Sequence, residues 1–204
     1  LVIVKLVFMV SYCVGSTIQL NSTGGGTYSW AGPGGFTSTA QNPTLATSTT
    51  AMSGNYIVTV TSGTATCTAT TSVTVNALPV ASIAGDNTLC VNETLTLTAS
   101  GGTSYSWTLP NATTSTANPY TVASVASADA GNYVVTVTDV NSCTATSSMP
   151  VTVNALPTPT IEGNLAVCTA TGTTTTLVAT GGDQYSWNTP ATTASISNVV
   201  AGAY

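Results

Sequence analysis

The stretch SGNYIVTVTSGTATCTATTSVTVNALP, Ser53–Pro79, returns as AGNYVVTVTDVNSCTATSSMPVTVNALP, Ala130–Pro157. Its last seven letters, VTVNALP, recur unchanged 78 positions further on. Matching flanks make chance a poor explanation, so the chain reads as an array of copies. Within each copy apolar residues alternate with Thr, as in YVVTVTD at Tyr133–Asp139 and TLTLTAS at Thr94–Ser100. That period of two, rich in β-branched residues, is the pattern of half-buried strands. Pro79 and Pro157 lack the N–H a central strand needs, so the last strand of each copy ends there and a short stiff linker begins.

Two further alignments set the boundaries. Tyr28–Trp30, Tyr105–Trp107 and Tyr185–Trp187 fall in register on Y-S-W, and Tyr56, Tyr133 and Tyr204 on G-x-Y. Repeat one is 1–77 with an atypical first strand, repeat two is 78–155, and repeat three is 156–204. The third stops where the others continue through two more strands. Gly, Asn and Asp clusters punctuate the strands, and no segment carries a 3.6-residue period. Trp107 stands ten to twelve residues after Leu97 and Leu95, and DAGNY at Asp129–Tyr133 has the form of a tyrosine corner. Those are the spacings of an immunoglobulin-like sandwich, with apolar Val135 where an antibody domain has its second cysteine. The fold class is all-β: tandem immunoglobulin-like β-sandwich repeats of about 78 residues arranged head to tail. Trp30, Trp107, Trp187, Tyr56 and Tyr133 are the expected core anchors. The competing reading of each Gly-flanked Trp is a sugar-binding platform.

The motif string C…YSW…GPGGFTST…SGNYxVTVT…CTAT…VTVN resembles the Ig-like repeats of very large secreted surface proteins of Bacteroidetes, including gliding-type adhesins and other cargo of the type IX secretion system. WAGPGGFTST at Trp30–Thr39 fits best, while WTLPNATTST and WNTPATTAS replace it in the later copies. The resemblance implies an extracellular stalk, fibre or adhesive array and no catalytic activity.

Composition narrows the partners. Only 3% of the 204 residues are charged, against a typical value of about 25%. The chain is nevertheless 43% hydrophobic, which argues against disorder. A surface of Thr, Ser, Asn and Gly offers little repulsion between copies, so the expected partners are copies of itself, adjacent repeats and a glycan coat. Asn21, Asn92 and Asn111 head Asn-x-Ser/Thr sequons. Lys5 is the sole basic residue and the net charge is −5, which excludes nucleic acid. Membrane insertion is not expected, because no apolar run reaches the roughly 20 residues of a span. Leu1–Tyr12 reads either as the tail of a signal peptide or as an apolar edge strand. If repeat three is completed by another chain rather than cut short, the same segment is the candidate donor strand.

No histidine is present, which removes His-dependent catalysis and His metal sites. The acids are Asp86, Glu93, Asp129, Asp139, Glu162 and Asp183, none in the D-x-D pattern of calcium loops. GPGG at Gly32–Gly35 lacks the Lys of a phosphate loop and reads as a turn. No enzyme, cofactor or metal is expected. Three readings remain: a structural stalk or filament, an adhesin array binding a surface or glycan, and the accessory repeats of a secreted enzyme.

The cysteines suit an extracellular, cell-surface or secreted location. Equal spacing suggests pairing within repeats, Cys13 with Cys67 and Cys90 with Cys143, leaving Cys168 over. Fold geometry suggests otherwise. Cys90 lies at the exit end of its sandwich and Cys143 at the entry end, about 20 Å apart for strands of six or seven residues, against the 7 Å limit of a disulfide. Head-to-tail stacking would instead bring Cys13 of repeat one against Cys143 of repeat two.

Overall fold

The computed structural model describes residues 10–164 and 174–200; Leu1–Met9 with Lys5, Cys168 and Tyr204 lie outside the described residues. The chain forms two compact units, Leu1–Val153 and Asn154–Tyr204.

The first unit holds two hydrophobic cores, each between two sheets. In the first, β1 (Val10–Cys13), β3 (Thr27–Gly32), β4 (Phe36–Ser38), β6 (Gly54–Ser62) and β7 (Ala65–Asn76) make a five-stranded sheet in the order β1-β7-β6-β3-β4. The short strands β2 (Ile18–Gln19) and β5 (Thr44–Leu45) pair opposite it. Alternation does what the sequence pattern requires: Tyr56, Val58 and Val60 of β6 point inward to meet Trp30, Val73, Val75, Ile18 and Leu20. Val10–Tyr12 belong to β1, which runs parallel to β7 with Val10 opposite Val73 and Cys13 opposite Asn76. Val10–Tyr12 are therefore part of an edge strand of their own sandwich, while the rest of the candidate donor segment Leu1–Tyr12 lies outside the described residues.

The second core repeats the plan. Strands β9 (Thr88–Cys90), β11 (Ser104–Thr108), β12 (Thr114–Ser115), β14 (Gly131–Thr138) and β15 (Thr144–Asn154) order as β12-β11-β14-β15-β9. They face β13-β10-β8, built from β8 (Ser82–Ala84), β10 (Leu95–Ser100) and β13 (Tyr120–Val122). Leu95, Leu97 and Ala99 of β10 close over Trp107, Tyr133, Val135, Val137 and Val151. Val135 sits opposite Trp107 in the ladder, filling the place where a cysteine would otherwise stand.

Each core is tied by a tyrosine corner. The Tyr56 hydroxyl donates to the Met52 carbonyl and that of Tyr133 to the Asp129 carbonyl, both at 2.9 Å, across a single 3₁₀ turn. The glycine of G-N-Y has its own reason. Gly54 and Gly131 adopt φ of 142° and 144°, and a Cβ there would lie 2.8 Å from Pro33 Cγ or 2.7 Å from Pro110 Cβ. Those prolines stand three residues after Trp30 and Trp107, so W-x-x-P and G-N-Y are two halves of one contact.

The second unit is a three-stranded sheet, β16-β17-β18, from Thr160–Gly163, Thr175–Thr180 and Ser195–Val199. Trp187 packs against Leu177, Ile196 and Val199 but stays half-buried. Tyr185–Trp187 is not a strand, because among the described residues nothing in this unit pairs with it as β6 pairs with β3 and β14 with β11.

The tryptophans differ in their polar edge. Trp30 Nε1 donates to the Ala40 carbonyl at 2.9 Å, whereas the fully buried Trp107 Nε1 meets no acceptor among the described residues. Replacing Trp30 with Phe is expected to cost about 1 kcal/mol more than the same change at Trp107, the net value of one hydrogen bond. Urea unfolding followed by circular dichroism measures the difference; equal losses would remove the role given to the Ala40 carbonyl. A second expectation comes from Tyr133, whose phenol is pushed up to about 12 by burial, with the charges of Tyr120 and Asp129 adding to it. The unfolded phenol titrates near about 10. A proton held more tightly in the folded state gives stability that is whole below about pH 10 and lost as pH rises through about 12. Unfolding midpoints should fall across that window, and less steeply in Tyr133→Phe.

Candidate functional site: a disulfide between two sandwiches

The chemistry that stands out lies where the two sandwiches of the first unit meet. Cys13 and Cys143 are joined, with sulfurs 2.01 Å and Cα atoms 5.6 Å apart across a sequence separation of 130. The bond excludes both within-repeat pairings, Cys13–Cys67 and Cys90–Cys143. The physical reason is the direction of the strands. Cys13 ends β1 beside Asn76, the last residue of β7 and hence the exit of the first sandwich. Cys143 precedes β15, in the turn at the entry of the second.

Both ends are fixed by backbone hydrogen bonds. The Cys13 carbonyl accepts from the Ser16 hydroxyl at 2.6 Å and the Ser48 hydroxyl at 2.9 Å. Ser48 is fully buried, and its backbone exchanges bonds with Gly15 and Ser16, so the loop after β1 is stitched to the loop before β6. The Asn76 side chain donates to the Tyr12 carbonyl and the Ser11 hydroxyl, locking β1 to the end of β7. On the other side one Asp139 carboxylate oxygen accepts from the N–H groups of Asn141 and Cys143, each at 2.8 Å. This turn presents a fully buried Cys143 to its partner. The sequence reading did not reveal that Asp139 sets the cysteine. The signal is an Asp four residues before the Cys, in reach of two successive turn amides.

The other cysteines occupy different settings. Cys90 ends β9 as a half-buried thiol, its N–H held by the Glu93 carboxylate at 2.7 Å. Cys67 sits half-buried inside β7, opposite Val60. In the second sandwich the residue opposite the matching Val137 is Ala145, so Cys67 lies two residues deeper in its strand than Cys143 does. The cause is the turn: Gly63, at φ 62°, lets β6 and β7 join through two residues, while Asp139–Cys143 forms a longer loop. The letter match C-T-A-T hides this shift.

The remaining candidates are dispersed. Asn21, Asn92 and Asn111 are all exposed. Asn111 Oδ1 accepts from the Thr113 N–H and hydroxyl at 3.0 and 2.6 Å, closing a local turn. Asn92 takes a positive φ of 74°. Asp129 and Glu93 are spent on backbone amides, and Asp86, Glu162 and Asp183 are exposed. No cluster of three metal-ligating side chains occurs among the described residues. No helix is long and apolar enough to cross a membrane, again among the described residues. The second unit has an open groove of about 280 Å³ lined by Tyr185, Trp187, Gln184, Asn188 and Ile161.

These features define an all-β protein of immunoglobulin-like sandwiches. Residues 76–153 match the profile of the PKD-like domain, a stretch that covers less than half of the chain. No curated protein matches the sequence. Among solved structures the amphioxus IgVJ-C2 molecule aligns at 17% identity and TM-score 0.37, over 70% of this chain and 99% of that one. Drosophila OTK, extracellular domains 3–5, aligns at 15% and 0.44, over 75% and 62%. The N-terminal eight Ig domains of the Down Syndrome Cell Adhesion Molecule align at 16% and 0.34, over 88% and 31%. With scores this low, the fold rests on the chain's own topology.

Cys13→Ser is expected to destabilise the first unit by about 4 kcal/mol, the scale for opening a loop of more than 100 residues. That corresponds to a fall of roughly 10 °C in the thermal midpoint for a chain of this size. Calorimetry under oxidising conditions reads it, with Cys90→Ser as the substitution that leaves the midpoint in place.

Proposed function

We propose that this chain is a non-catalytic, extracellular structural repeat protein that forms a stalk, fibre or filament on a bacterial surface. The observation that carries the reading is the covalent bond between successive sandwiches, a device for holding neighbours in line rather than for binding a ligand. A disulfide of this kind persists in oxidising compartments, which suits a secreted or surface location. The parallel pairing of β1 with β7 is a second support. With the disulfide open, tension drawing Val10 one way and Asn76 the other would load their ladder bonds together, in shear, so the ladder backs up the covalent link. The nearly uncharged surface fits side-by-side association with like molecules or a glycan coat on the exposed Asn and Thr side chains. Repeat boundaries at 77 and 155, a Bacteroidetes origin and export by the type IX system complete the proposal and rest on the sequence motifs. The adhesin reading has one observation of its own, the aromatic groove at Tyr185 and Trp187, whose polar rim of Gln184 and Asn188 suits a neutral glycan.

Electron microscopy of source cells, labelled with antibody raised against the chain, tests the reading. Thin projections decorated outside the cell, with an intact mass above that of the bare polypeptide, are the expected result. Label confined to the cell interior would sink it. Glycan-array binding abolished by Trp187→Ala would shift the assignment to an adhesin.

A further inference from the structure

We propose that the Cys13–Cys143 bond is a load bypass: tension entering ahead of Cys13 crosses directly to β15 and never travels along the backbone of residues 14–142. The path follows from connectivity. The three described residues ahead of Cys13, Val10–Tyr12, all belong to β1, and Cys143 is followed at once by Thr144, the first residue of β15. From there the chain runs through a strand that is already extended to Asn154, where the second unit begins. Most of both hydrophobic cores of the first unit belongs to elements off that path; the exceptions are Tyr12 of β1 and the contributions of β15. Tyr56, Trp30, Trp107 and Tyr133 are therefore not pulled apart when the ends are drawn away from each other.

The consequence is length held in reserve. A sequence separation of 130 represents roughly 450 Å of extended chain at about 3.5 Å per residue. With the bond closed that length cannot be drawn out, even if a sandwich unfolds. β15 adds almost nothing, since a strand at about 3.4 Å per residue is near its limit. With the bond open, load passes instead through the four-residue β1–β7 ladder and then serially through each sandwich. The device fixes the extension of the first unit independently of how strongly its cores are folded. It goes beyond the stalk reading, because a bypass is a property of the connectivity whatever the array carries.

Single-molecule pulling of the full 204-residue chain, held by handles at its two termini, tests the bypass. In the oxidised protein the length gained should come only from the segments outside Cys13–Cys143. Adding a dithiol reductant, which gives two electrons and two protons to the bond and itself closes to a cyclic disulfide, should add a gain approaching roughly 450 Å less the folded span. Cys13→Ser should show the same added gain without reductant, and Cys90→Ser should leave the oxidised trace unchanged. If Cys13→Ser does not fold, the comparison of oxidised and reduced wild-type protein decides alone. Equal gains before and after reduction would overturn the bypass, as would peptide mapping that finds no Cys13–Cys143 link. An interior location in microscopy would sink the stalk reading and leave this result untouched.

Discussion

Each sandwich depends on one buried phenol. Tyr56 and Tyr133 are sealed in their cores, and each spends its hydroxyl on a carbonyl four residues back. That bond fixes the 3₁₀ turn leading into the central strand β6 or β14, and so sets which of its side chains reach the core. Once Tyr133 is inward, a period of two sends Val135 and Val137 inward with it and turns Asn132, Val134 and Thr136 away. Trp107 then has a wall to lie against, and Gly131 must be glycine because Pro110 occupies the space where a side chain would go. The ring contacts among Trp107, Tyr120 and Tyr133 extend the same anchor into the second sheet.

Low charge constrains how the turns are built. With six acids in the whole chain, three of those in turns are spent on backbone amides: Glu93 on Cys90, Asp129 on Ala126 and Asp139 on Asn141 and Cys143. A carboxylate accepting such bonds does the work of a turn residue, at the places where strands must reverse without glycine alone. Elsewhere serine hydroxyls satisfy the backbone: that of Ser53 accepts from the Val75 N–H, and that of Ser48 donates to the Cys13 carbonyl. The fold is held by backbone satisfaction and apolar burial, with ion pairs contributing nothing visible among the described residues.

Much of this was legible in the letters. Strand period, the Y-S-W and G-x-Y motifs and the linker prolines place the two cores of the first unit, because β alternation and tyrosine corners are local and leave local traces. The direction of the disulfide was also legible, since it depends only on which end of a sandwich each cysteine occupies. Three features were not. The two-residue shift of Cys67 arises from hairpin length, which a letter match overrides. The half-exposed state of Trp187 depends on strand pairing, which Y-S-W alone does not encode. The role of Ser16 and Ser48 is set by two loops more than thirty residues apart, and single hydroxyls carry no pattern that links them.

The ring that Cys13 and Cys143 close also changes what a protease can achieve. Most exposed loops of the first unit, including the Thr47 and Ala112 bends with their positive φ, lie inside the ring. A single cut in any of them opens the polypeptide yet leaves the two ends of the molecule covalently joined through sulfur. Severance requires a cut outside the ring, or a second event that breaks the bond itself. Damage inside the ring is thus absorbed without loss of continuity, and the vulnerable point moves to the Ala155–Pro157 linker beyond it.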